Sequence, residues 1–197
     1  MASDSEVVEK YINRLIETIN GMPRESIQKT IDVIRKARDE KKMIFLFGNG
    51  GSASNTSHIV NDLIKNCRKA DEPDFRILSL NENTATMTAY GNDHGYDTIF
   101  EGQLRSYASR GDVVIAMSTS GNSPNVIKAL QAAKELGVTT IGFTGAKGGK
   151  LKELVDVCVS VPSNWSGIIE DASMVLGHIF TVLYAPDNDM VVEKMLA

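Results

Sequence analysis

Hydrophobic positions along this chain change their period once, near residue 40, and the change separates two kinds of structure. From Val7 to Ile19 apolar side chains recur at helical spacing (Val7, Val8, Tyr11, Ile12, Leu15, Ile16, Ile19), and Gly21 and Pro23 end the run. A second helix is expected from about Glu25 to Arg38, with Ile27, Ile31 and Ile34 on one face. Then Met43-Ile44-Phe45-Leu46-Phe47 form a continuous apolar run between Lys42 and Gly48, the pattern of a strand buried on both faces. Ile77–Leu80, Val113–Met117, Thr139–Phe143 and Val155–Val161 repeat that pattern. Helical spacing fills the intervals at Ser54–Cys67, Thr84–Tyr90, Ile99–Ser109, Asn125–Leu136 and Ile169–Tyr184.

Strands that alternate with helices demand right-handed crossovers and a parallel sheet. The chain is therefore read as α/β: a flavodoxin-like, doubly wound, five-stranded parallel sheet of order 2-1-3-4-5, with two N-terminal helices. No linker, repeat or low-complexity tract interrupts it. A single domain over 1–197 is expected, with 1–40 a helical extension and 41–197 the α/β core. The apolar stripe on the extension needs a surface to pack on, and a second subunit is the natural candidate.

Composition narrows the partners. The 197 residues carry 21 Lys and Arg against 25 Asp and Glu, a net charge of −4, which argues against a nucleic-acid surface. The local basic run of Lys65, Arg68 and Lys69 is met at once by Asp71, Glu72 and Asp74, and reads as a solvated helix end. Cys67 and Cys158 have neither disulfide-framework nor metal-site spacing. No N-terminal apolar leader and no run of 18 apolar residues appears, so a cytoplasmic protein without a membrane partner is expected.

Two loops carry the chemistry. The first strand runs into Gly48-Asn49-Gly50-Gly51-Ser52-Ala53-Ser54, and the third into Ser118-Thr119-Ser120-Gly121-Asn122-Ser123, with Pro124 where a helix can begin. In the order 2-1-3-4-5 these strands are neighbours whose helices leave on opposite faces, so both loops fall at the switch-point crevice. Four hydroxyls in six residues offer neutral donors to an oxyanion. Glycines let backbone N–H groups approach it, and a following helix start favours negative charge. No Walker lysine is present and the first loop does not match G-x-G-x-x-G, so nucleotide readings lose ground.

Three histidines are present: His58, His94 and His178. Asp62, four residues after His58, shares its helix face. On the last helix Glu170 lies about 80° and Asp171 about 20° from His178 around the axis, so geometry alone pairs His178 with Asp171. Two helices that each offer an imidazole and a carboxylate suit zinc binding or divided acid–base work.

Taken with Gly91-Asn92-Asp93-His94-Gly95-Tyr96, Gly111-Asp112, Thr144-Gly145-Ala146-Lys147-Gly148-Gly149 and the helix from Glu170 to His178, these loops resemble the sugar-isomerase (SIS) domain proteins, and within them the phosphoheptose isomerases. The resemblance covers nearly the whole chain. It implies a homotetramer with active sites between subunits, one zinc per subunit, and conversion of sedoheptulose 7-phosphate to an aldoheptose 7-phosphate through a cis-enediol. Position by position it implies His58, Asp62, Glu170 and His178 as metal ligands, and Asp62, His178 and Glu170 as catalytic candidates. Asn49, Gly50, Gly51, Ser52, Asn92, Asp93, Ser118, Thr119, Ser120 and Ser123 match substrate-binding positions.

The chain departs from that pattern in three places. Asp62 stands where the family has a glutamate, Glu170 where it has a glutamine, and Gly167-Ile168 where many relatives carry an Asp-Arg pair near the sugar. The assignment of the base therefore stays open between Asp62 and Glu170. An isomerase of another ketose phosphate and a non-catalytic adaptor, of the type that associates with the bacterial replication initiator, are the alternatives.

Overall fold

A computed structural model describes residues 2–186 and residue 193. The chain opens with α1 (Asp4–Asn20) and α2 (Arg24–Asp39), followed by β1 (Met43–Gly48), α3 (Gly51–Asn66), β2 (Arg76–Ser79) and α4 (Thr84–Asp93). A 3₁₀ turn at Tyr96–Thr98 leads to α5 (Glu101–Tyr107), β3 (Val113–Ser118), α6 (Pro124–Glu135) and β4 (Thr139–Thr144). The short α7 (Leu151–Leu154), β5 (Val157–Ser160) and α8 (Ser166–Tyr184) complete the series. All four strand pairings are parallel, in the order β2-β1-β3-β4-β5. This is the α/β architecture that the hydrophobic pattern implies.

Alternation along each strand sorts the core into two layers. Ile44 and Leu46 of β1, with Val113, Ile115 and Met117 of β3, face the side covered by α2, α3 and α8. Phe45, Phe47, Val114 and Ala116 point the opposite way, against α5, α6 and α7. With β1 and β3 adjacent and their following helices on opposite faces, a crevice opens between the C-terminal ends of these two strands.

Several boundaries differ from those read off the sequence. α3 begins at Gly51, not Ser54, because Gly50 takes a left-handed φ of 56° and turns the chain directly into the helix. The expected Ile99–Ser109 helix is split: Ile99 and Phe100 are buried under the sheet and link the 3₁₀ turn to α5. β5 is shorter than Val155–Val161, and α7, too short to leave a periodic signal, precedes it. Helix α8 is long and apolar enough to span a membrane by length and composition. Here it packs along α3 and supplies Ile169, Ala172, Leu176 and Phe180 to the core.

The remaining surface features are ordinary. Arg68 pairs with Asp74 and Lys69 with Glu72, so the basic run is neutralised by the acids that follow it. Both cysteines are free, Cys67 buried and Cys158 half-buried.

Candidate active site

The floor of the crevice is the loop after β3. Ser118 Oγ lies 3.1 Å from Ser123 Oγ and 3.5 Å from Ser120 Oγ, so three hydroxyls converge. Ser123 is the N-cap of α6, yet its side chain makes no capping bond and turns toward Ser118 instead. The loop is held in shape from outside. Gly121, at φ 66°, packs so closely on the Gly148 carbonyl that a Cβ there would collide with it. Leu151 N–H donates to the Gly121 carbonyl at 3.0 Å, and Lys150 N–H to Asn122 Oδ1 at 3.1 Å.

The opposite wall is the start of α3. Its N-cap, Gly50, offers no side chain, and the Glu170 carboxylate from α8 lies over the first turn, beside the Gly51 backbone and the Ser52 amide. Ser52 is buried in this first turn. Asn81 braces the loop: its Nδ2 donates to the Gly48 carbonyl at 2.9 Å and its Oδ1 accepts from Gly48 N–H at 3.2 Å. Asn92 and Asp93 lie at the C-terminal end of α4, exposed, with Asn92 Nδ2 donating to Asp93 Oδ1 at 2.7 Å. Among the described residues, neither makes a side-chain bond to the crevice.

The α3–α8 seam brings the histidines together. His58 Nε2 lies 3.4 Å from His178 Nε2 and 3.4 Å from Asp62 Oδ2. The Asp62 side chain is only 13% exposed while the His58 ring is half exposed. One donor atom from each of His58, Asp62 and His178 lies within 4.8 Å of the other two, a group able to hold a metal ion.

The other two acidic candidates of α8 lie elsewhere. Glu170 is outside this group; its carboxylate covers Gly51, where any Cβ would collide with it, and its backbone carbonyl accepts from Asn55 Nδ2 at 2.8 Å. Burial raises the Glu170 pKa, the nearby Ser52 amide opposes that shift, and the Asp171 charge adds to it. Asp171, the residue that helix geometry pairs with His178, instead accepts a hydrogen bond from the Tyr11 hydroxyl of α1. That phenol is held above its ordinary pKa, chiefly by the same bond.

Two crevice residues, Asn125 and Tyr96, are not among the candidate site residues read from the sequence. Asn125, 1% exposed, pairs with Asn49, and the Tyr96 hydroxyl donates to Asn49 Oδ1 at 3.0 Å. The one sequence signal for Asn125 is its place directly after Pro124, where a polar side chain at a helix start can turn back toward the preceding loop.

The SIS domain family matches residues 9–145. Phosphoheptose isomerase of Aquifex aeolicus is 39% identical over 192 residues, covering 96% of this chain and 98% of that protein. The phosphoheptose isomerase of Aneurinibacillus thermoaerophilus is 44% identical over 140 residues, 71% of this chain and 70% of that one. Among solved structures, phosphoheptose isomerase GmhA from Neisseria gonorrhoeae is similar with a TM-score of 0.84 at 29% identity, covering 92% of this chain and 98% of its own. Likeness of this extent, in sequence and in fold, shows that the chain belongs to the SIS domain family and, within it, to the phosphoheptose isomerases, which are sugar-phosphate isomerase enzymes.

Proposed function

We propose that this chain interconverts sedoheptulose 7-phosphate and an aldoheptose 7-phosphate in the cytoplasm, with zinc as its metal. One observation carries the reading: the start of α3, beside the hydroxyl loop, and two members of the histidine group, His58 and Asp62, belong to the same helix, at a spacing that suits the substrate. Seven residues lead from Gly51 to His58, about 10 Å of helix. An extended seven-carbon chain ending in phosphate spans roughly the same length at about 1.5 Å per bond. With the phosphate among the Ser118, Ser120 and Ser123 hydroxyls, the carbonyl end reaches His58, Asp62 and His178.

In this reading Asp62 takes the proton from the carbon beside the carbonyl, and His178 moves the oxygen protons as the cis-enediol forms and collapses. The alternative base is Glu170, whose pKa burial raises. The three donors suit zinc. A tetrahedral ion with bonds of about 2.0–2.1 Å needs ligand atoms about 3.3 Å apart, and two of the separations here are 3.4 Å. Bound zinc would polarise the sugar oxygens next to the reacting carbons.

A homo-oligomer, with a tetramer the expected state, belongs to the same proposal. Val7, Val8, Ile12 and Ile16 of α1 are each about half exposed, and Val175, Ile179, Val182 and Leu183 of α8 line an apolar groove beside His178. Light scattering that finds a stable monomer at micromolar concentration would remove this part.

The deciding experiment incubates the zinc-loaded protein with a panel of ketose phosphates and follows aldose formation and exchange of the transferred hydrogen with solvent. Turnover of the seven-carbon ketose phosphate is expected. Preference for a shorter sugar would change the substrate, and binding without exchange would make the chain a phosphosugar-binding adaptor.

A further inference from the structure

The carboxamides of Asn49 and Asn125 are paired face to face. Asn49 Nδ2 donates to Asn125 Oδ1 at 2.9 Å, and Asn125 Nδ2 donates to Asn49 Oδ1 at 2.8 Å. A reciprocal amide pair is satisfied equally well if both amides turn over, since exchanging oxygen and nitrogen in both restores both bonds. A third contact breaks that symmetry. The Val126 backbone N–H donates to Asn125 Oδ1 at 3.0 Å, and a backbone N–H can only donate, so that atom must be the oxygen. Asn125 Nδ2 then needs an acceptor, and Asn49 Oδ1 is the one within reach. The Tyr96 hydroxyl donates to this same oxygen at 3.0 Å.

The consequence falls on Asn49. Both acceptor sites of its Oδ1 are engaged, by Asn125 and Tyr96, and one of its two Nδ2 protons is used on Asn125. A single N–H remains free. Asn49 stands immediately before Gly50, the cap of α3, and Asn125 stands two residues after Ser123 of the hydroxyl loop. What Asn49 can offer a ligand in the crevice is therefore a donor and not an acceptor. We infer that Asn125 and Tyr96 are positioning residues of the sugar-phosphate site, which together lock the Asn49 carboxamide so that it presents one N–H to an oxygen of the bound ligand. Neither has to touch the ligand. The inference rests on the sugar-phosphate reading above.

The test is a pair of double-mutant cycles on the full-length, metal-loaded protein, with isomerisation kinetics and calorimetric binding of the sugar phosphate as readouts. Asn125→Asp keeps the acceptor for Val126 but sets a second oxygen against Asn49 Oδ1. Tyr96→Phe removes one hydroxyl from a ring that is 62% exposed, and it carries the cycle alone if the buried Asn125 variant does not fold. Asn125→Asp should raise KM and the dissociation constant about 10-fold, as for loss of one hydrogen bond to a charged group. Tyr96→Phe should raise them about 3-fold, and neither change should add anything once Asn49 is Ala. Full additivity with Asn49→Ala, or unchanged KM in both single variants of an active protein, overturns the inference. An unmutated protein that neither binds nor converts any sugar phosphate overturns the functional reading instead, and the inference with it.

Discussion

The Nε2 atoms of His58 and His178 lie 3.4 Å apart although 120 residues separate them along the chain. Neither helix can make this pair alone. Ile59 and Leu63 of α3 and Leu176 and Phe180 of α8 are buried in one core layer, and that packing brings the two imidazoles together. A metal ion held by this group should report on the integrity of the packed seam.

Protein purified without chelator is expected to carry close to one zinc per chain by elemental analysis. His58→Ala or His178→Ala should lose it. At a free zinc concentration 100 times the dissociation constant, the folded chain should gain about 2.7 kcal/mol over the metal-free form. Wild-type protein that holds no zinc and whose melting temperature ignores added zinc would refute the site.

Ser120→Ala and Ser123→Ala should each weaken sugar-phosphate binding by about 1–3 kcal/mol, the range for a hydrogen bond to a charged group. Ser120 is exposed and Ser123 half-buried, and the Ser123 side chain makes no capping bond at its N-cap position, so the melting temperature should barely move. Unchanged affinity in calorimetry, for the single variants and for the pair, would mean that the hydroxyl loop does not hold the phosphate.

The base can be assigned by solvent hydrogen exchange at the reacting carbon. Asp62→Asn is expected to abolish exchange while Glu170→Gln retains it, each variant being checked for bound metal. An aspartate sets its carboxylate about 1.5 Å nearer its helix than a glutamate would, and errors of about 1 Å can cost 100-fold in rate. The outcome therefore also measures how closely α3 approaches the substrate. Normal exchange in Asp62→Asn with none in Glu170→Gln would give the proton transfer to Glu170.

Glu170 should also leave a mark on stability. Burial, the largest influence, lifts its folded pKa above the unfolded value near 4.3. The folded chain then binds more protons between those two values, so stability falls as pH rises through that window. Glu170→Gln removes the titration. In chelator-treated protein the variant should melt above wild type at pH 7, and the two should converge as pH drops toward 4. A constant difference across that range would show that the carboxyl does not titrate out of its ordinary place.

How far the sequence reaches is clear from particular residues. Ile44 to Phe47 declare a strand because every one of them is apolar, and their burial on both faces bears that out. The serine and glycine loops are legible from their composition, and the strand order sets them side by side. Contacts between distant residues were not legible. Helix geometry offered Asp171 to His178, but Tyr11, 160 residues away, takes it. Asn125 reads as an ordinary polar residue of a helix start until Asn49 is brought opposite it. Glu170 shares a helix with His178, yet its carboxylate belongs to Gly51 and the far end of the crevice.

Helix α3 has one further consequence, for how such a protein can change its substrate. In the proposed reading the ligand-length scale of the site is graduated by a helix, with Gly51 at one mark and His58 at another. Adding one residue between them would move His58 by about 1.5 Å and swing it by about 100°, off the seam with α8. Only a near-complete turn, three or four residues and about 5.4 Å, would bring the imidazole back to the same side. Reach is thus adjustable in coarse increments of several carbon atoms, and finer discrimination between sugars has to come from side chains along the crevice.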